Sequence, residues 1–248
     1  MTGYDTSVLL EKIMYRSLTA FPQLAFFFLL CILSSFSTVS ATETAGKEQA
    51  AQIKELYKSI YQLHFDFKQQ TTTGSRIREG AGKGSFLRPA ASEQIVMRWD
   101  YMHPARQIIV NTGQKLSIYT EEDKQLIITP VDQSTSDITL ALFSGTTDIM
   151  DTFTVSVPEA DSQLSAPEHP WQTMLLTPKE PHPQLQQIRI WYSADFLIHK
   201  LVLLDHFDSK TTLVLTNIKT DTTAPPNEKQ LFQVTHIDIP EDTEIIQQ

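Results

Sequence analysis

The chain has 248 residues, with 29 acids against 20 bases, a net charge of −9, 41% hydrophobic residues and one cysteine. That balance excludes docking to nucleic acid or anionic membrane by charge alone, and a single cysteine excludes a disulfide framework. The length suits one substantial domain once a leader is set aside.

The leader comes first in chain order. Lys12 and Arg16 precede the apolar run LAFFFLLCIL, from Leu24 to Leu33, and Val39 and Ala41 supply the small residues that a signal peptidase requires. Residues 1–41 are therefore expected to be a signal peptide, with Met14 as an alternative start, leaving a domain over 42–248. The run is short for a membrane span of about 20 residues. Cys31 follows Leu30, where a lipid-attachment site wants a small residue. The exported chain is thus expected to carry neither a disulfide nor a lipid, which suits a periplasm. Loss of Asp5, Glu11, Lys12 and Arg16 leaves its net charge at −9.

Residues 43–61 read as an amphipathic helix, because Ile53, Leu56, Tyr57 and Ile60 recur at spacings of three and four. The period then switches to two. HFDFKQQ puts Phe65 and Phe67 on one face, and GSRIREGAGKGSF supplies glycines for a hairpin or bulge. Strands are expected at 94–101, 106–111, 115–120 and 124–129, linked by the turn sequences NTGQ and EEDK. In the first of these, Ile95, Met97, Trp99 and Tyr101 share one side, opposite Gln94, Arg98 and Asp100.

DITLALFSGTTDIM, residues 137–150, breaks the rhythm. Asp137 can cap a short helix there, with Ile138, Leu142 and Phe143 on one face. Strands resume at 152–157, 171–177, 185–192, 197–205, 211–218 and 231–236. The pattern predicts a mainly β protein, a single antiparallel sheet of about 10–11 strands curled into a barrel or half-barrel, covered by short helices.

The chain offers little for catalysis. Its histidines have no metal-ligand spacing and read as surface or partly buried residues. No G-x-S-x-G elbow is present, and in GAGKGS the residue after Lys83 is Gly84, without a following helix, so a hairpin replaces the phosphate-loop reading. The acids of MDTF, PEAD and YTEED occupy turns. No enzyme and no cofactor is indicated. What stands out is the large apolar content of one strand face: Phe65, Phe67, Phe86, Ile95, Met97, Trp99, Tyr101, Leu116, Ile118, Ile188, Ile190 and Tyr192. Such a face fits an ordinary core or a lidded cavity, and both readings stay open.

FDFKQQ, GKGSFLRP, MRWDYMHP, IVNTGQKLSIYTEEDKQ, ALFSGTTDIMDTFTV, LLTPKEPHPQLQQIRIWY, LVLLDHFDSKTTLVLTNIKTD and LFQVTHIDIPEDTEII follow one another between Ile53 and Ile246. In that order and spacing they resemble the LolA family, periplasmic carriers of outer-membrane lipoproteins in Gram-negative bacteria. The resemblance implies an unclosed half-barrel with a helical lid and an apolar interior that takes up acyl chains. It implies that Arg88 latches the lid through main-chain carbonyls. It further implies an acyl-binding wall of Phe65, Phe67, Phe86, Ile95, Met97, Trp99, Tyr101, Ile118, Leu142, Phe143 and Ile190.

The implied partners are acylated lipoproteins as cargo, an inner-membrane lipoprotein-releasing ABC transporter and an outer-membrane receptor of the same fold. The carrier would be a monomer that binds no nucleic acid. The lack of a lipid-attachment cysteine points to the soluble carrier, not the receptor. Two departures from the family pattern are the ten residues PAASEQIVMR between Arg88 and Trp99, and Ser117 where an aromatic is common. The alternative is a LolA-like envelope carrier or stress sensor that binds another lipid or a glycolipid.

Overall fold

The computed structural model describes residues 37–90, 94–131, 142–145, 149–158, 170–182 and 185–247. Most of the expected signal peptide, and the proposed Asp137 cap with Ile138, lie outside the described residues.

Helix α1 (Ser37–Ser59) turns Ala50, Ile53 and Tyr57 into the core, the three- and four-residue spacing of its apolar stripe. Among the described residues twelve strands follow: β1 (Gln62–Thr73), β2 (Arg76–Leu87), β3 (Val96–His103), β4 (Gln107–Asn111), β5 (Lys115–Thr120), β6 (Gln125–Pro130), β7 (Phe153–Ser156), β8 (Gln172–Pro178), β9 (Gln187–Tyr192), β10 (Ile198–Leu204), β11 (Lys210–Asp221) and β12 (Glu244–Gln247). Among the described residues, helices also include α2 (Ile149–Thr152), before β7, and α3 (Glu228–Thr235), before β12.

The strands form one sheet in the order β12-β6-β5-β4-β3-β2-β1-β11-β10-β9-β8-β7. The end strands β12 and β7 do not pair with each other, so the barrel is unclosed. The seam of the sheet is β1 against β11, which pairs Gln62 with Asp221 and continues to Thr72 with Lys210.

Two expectations are corrected. The sheet is not wholly antiparallel, because β12 pairs parallel with β6. The chain returns to that edge by way of α3, the kind of crossover a parallel pair requires. Residues 231–236 are not a strand but fall largely within α3. Asn227 Oδ1 accepts the N–H of Gln230 at 3.0 Å while Gln230 Oε1 accepts the N–H of Asn227 at 2.8 Å, a capping box that starts a helix. Leu231 and Val234, three apart, then pack on Leu87 and Val96.

The sheet is covered on both faces, by different parts of the chain. Its inner face holds the main core, together with α1. Its outer face over β4–β6 buries Ile108, Val110, Tyr119 and Leu126 beneath Ile237 and Ile239. Arg98 fastens this outer cover. It forms a bidentate pair with Asp100 (2.7 and 3.0 Å) and donates to the carbonyls of Val234 (3.2 Å) and His236 (2.6 Å). Those carbonyls lie at the end of α3, where the helix leaves its oxygens unsatisfied. Strand β2 needs glycine at Gly82, where a Cβ would lie 1.8 Å from Asp100 O, and again at Gly84. A Cβ on Gly84 would lie 2.3 Å from the ring of Phe65, so only a bare backbone lets that ring lie across the strand.

Candidate functional site

Cross-strand pairing lines up one row of inner-face positions: Phe65, Gly84, Trp99, Ile109, Ile118, Ile127 and Ile246. Its two halves differ. Over β1–β3 the space above the row is filled by the protein itself. Phe65, Phe67, Phe86, Trp99 and Phe143 meet with ring centroids 4.8–6.0 Å apart, several of them edge to face. Ile95, Met97, Leu142 and Ile190 are buried in the same cluster, and Ile188 and Tyr192 lie in it too. Tyr101 is half-buried at its margin, with its hydroxyl donating to Gln69 Oε1 at 2.9 Å.

Over β4–β6 and β12 the row opens. Ile109, Ile118, Ile127 and Ile246 are all half-buried, and Ile118 lies outside the buried cluster. The neighbouring row towards the hairpins is polar: Gln107, Thr120, Gln125 and Glu244. The row on the other side is Asn111, Leu116 and Thr129. A narrow apolar strip therefore leads from the aromatic cluster to the edge of the sheet. With strands about 4.8 Å apart, it measures roughly 19 Å from Trp99 to Ile246.

Arg88 follows the last residue of β2, and its own N–H donates to Tyr61 O at 2.8 Å. Its guanidinium Nη2 donates to the carbonyls of Ser144 and, at 3.3 Å, Tyr57, and Nε donates to Ile60 O at 3.4 Å. Partial burial lowers its pKa. One cation thus joins the last turn of α1 to the helical turn at 142–144. The two segments touch closely. Gly145 has φ +61°, and a Cβ there would lie 2.4 Å from Lys58 N. Tyr57 ties the same turn of α1 to the sheet. Its hydroxyl accepts the N–H of Ile198 at 3.0 Å, its ring lies 5.6 Å from that of Phe143, and burial pushes its pKa upward.

Sequence reasoning named Trp99 and Ile118 on this face but not Ile109, Ile127 or Ile246, nor Tyr57 and Ser144 as partners of Arg88. The signal for Ile109 was weak, since QIIVN is apolar at three successive positions. Several of the described histidines have local roles. His64 Nδ1 meets Ser85 Oγ at 2.9 Å, and His199 stacks on Trp171 and reaches Ser193 Oγ at 3.0 Å. His206 Nε2 lies 2.8 Å from His182 O. Among the described residues, no three His, Cys, Asp or Glu side chains gather as a metal site.

The model of the family described as outer membrane lipoprotein carrier protein LolA matches residues 58–235. An outer-membrane lipoprotein carrier protein of Nitrosomonas europaea is 30% identical over 159 residues, which cover 64% of this chain and 70% of that protein. One of Pseudomonas fluorescens is 25% identical over 222 residues, 88% of this chain and 98% of that protein. Among solved structures, an uncharacterized conserved protein of Thermus thermophilus superposes with a TM-score of 0.51 at 12% identity. That match covers 81% of this chain and 98% of the other, and it is a likeness of fold.

Proposed function

Because the chain belongs to the LolA family, we propose that it is a soluble periplasmic carrier of acylated lipoproteins. It takes cargo from an inner-membrane ABC transporter and hands it to an outer-membrane receptor of the same fold, holding the acyl chains on the inner face of the half-barrel. The observation that supports this best is the half-open isoleucine strip running out of the aromatic cluster. At roughly 19 Å it exceeds the depth of one bilayer leaflet, about 15 Å, which is the reach of one acyl chain.

Burying a methylene is worth about 0.8 kcal/mol, so exposing several acyl chains to water would cost tens of kcal/mol. A carrier must cover that surface without holding it so tightly that release fails. In this reading an acyl chain first lies along Ile109, Ile118 and Ile127. Further chains enter by lifting the 142–145 turn from Phe65 and Phe86, which breaks the bonds of Arg88. Those bonds re-form when the cargo leaves. Each is worth about 1.5–3 kcal/mol at most, and less at a partly exposed site. They therefore weaken net binding and favour release.

The test is mass spectrometry of protein purified gently from its native host. Triacylated protein should co-elute with the carrier. Free lipid alone, or no lipid at all, would overturn the assignment.

A further inference from the structure

The outer face over β1 and β9–β11 carries chemistry that cargo binding on the inner face does not use. Pairing sets Trp191, Lys200, Val214 and Lys68 in one outer-face row, with Arg189 and Val202 in the next. Trp191 is buried beneath two cations: Lys200 Nζ lies 4.5 Å from its ring centroid, and Arg189 Cζ lies 5.9 Å from it. Lys210 stands one row further, opposite Thr72. The Lys200 ammonium is held below its ordinary pKa by burial and then by Lys210, so like charges sit close together.

Among the described residues, none of Lys68, Arg189, Lys200 and Lys210 forms an ion pair. Two acids of this region accept from neutral amides, Asp66 from Asn217 at 2.7 Å and Glu79 from Gln70 at 3.0 Å. Where the row reaches β1 the surface dips into a cleft of about 710 Å³, whose walls include Lys68, Gln70, Glu79, Thr212 and Val214.

A chain of net charge −9 that gathers four cations without an ion pair beside a cleft, against one cleft carboxylate, Glu79, is complementary to an anion. We propose that this outer face docks an acidic, extended segment of a partner protein. The segment's carboxylates meet Lys68, Arg189, Lys200 and Lys210, and its backbone lies in the cleft. Alternate side chains of an extended segment stand roughly 7 Å apart, while Lys200 and Lys68, two strands apart, are separated by roughly 10 Å. Extended carboxylates can therefore span the cations. A bilayer fits less well, because the aromatic at the centre is sealed under cations and Val202 and Val214 are half-buried, not protruding. Contacts of this kind steer encounter and choose partners more than they add affinity.

The test is fluorescence anisotropy of labelled octaglutamate with the full chain, at low and high salt. Binding should weaken by about tenfold or more in the triple variant Lys68→Gln, Arg189→Gln, Lys200→Gln. It should change by no more than about twofold when Lys58, Lys115 and Lys229 become Gln, which removes the same charge elsewhere. Indole emission should shift on binding, and this shift should vanish in Trp191→Phe. Equal losses in the two triple variants would reduce the effect to general attraction and overturn the proposal. So would binding to phosphatidylglycerol vesicles without binding to octaglutamate.

Discussion

Arg88 directs its guanidinium at main-chain oxygens of Tyr57, Ile60 and Ser144. In Arg88→Leu those carbonyls lose their donor, at a cost of about 1–3 kcal/mol. If the bonds form only in the empty carrier, the variant should load as well as the parent, or better, and unload slowly. Transfer of a lipoprotein to outer-membrane vesicles measures this, and release as fast as the parent's would refute the latch. His64 gives a pH prediction. Burial, and then the charge of Lys219, hold its pKa below the ordinary 6.5. The fold therefore favours the neutral ring. As pH falls below 6.5 the unfolded chain takes up the proton first, and stability declines until the folded pKa is passed. Denaturant midpoints between about pH 7.5 and about pH 5 should show this decline. The slope should flatten in His64→Gln, and an unchanged slope would mean that other groups set it.

At the scale of elements, α3 is the instructive case. In LFQVTH the alternation of Phe232, Val234 and His236 imitates a strand, yet the capping box four residues earlier decides the structure. Asn227→Ala should cost about 1 kcal/mol, a fall of about 2–4 °C in Tm for a domain of this size. No change in Tm would mean that Arg98 and the packing of Leu231 and Val234 anchor the helix without the cap. Strands bounded by strong turns were legible, β4 to β6 to within a residue or so, because Gly113 and residues 121–124 punctuate them. β12 was not, since EIIQ has no clear period and its partner β6 is remote in the sequence. The strict alternation of Met97, Trp99 and Tyr101 made their shared face readable. Both faces of β4 are apolar because Ile108 and Val110 serve the outer cover while Ile109 serves the inner face. That division of labour depends on the C-terminal segment and was invisible locally.

Across the whole molecule the sheet divides its burial. The half containing β1–β3 is filled on the inside under α1, whereas the half containing β4–β6 is sealed on the outside and half-open within. Substituting both Ile118 and Ile127 by Asn should therefore leave thermal stability within about 1 kcal/mol, as for partly exposed sites, while sharply reducing the acylated protein recovered with the carrier. Undiminished recovery from a folded double variant would show that the acyl chains take another path.

The seam between β1 and β11 has a kinetic corollary. It joins Gln62 to Asp221, 159 positions apart, so the two halves of the sheet meet only after a very long loop has closed. Apart from β12, each half can form early from nearby hairpins, but neither gains its neighbour until that late, entropically expensive encounter. Spontaneous refolding should accordingly be slow for a protein of this size, and the waiting halves, with their seam edges bare, are the species that a cell must keep from aggregating.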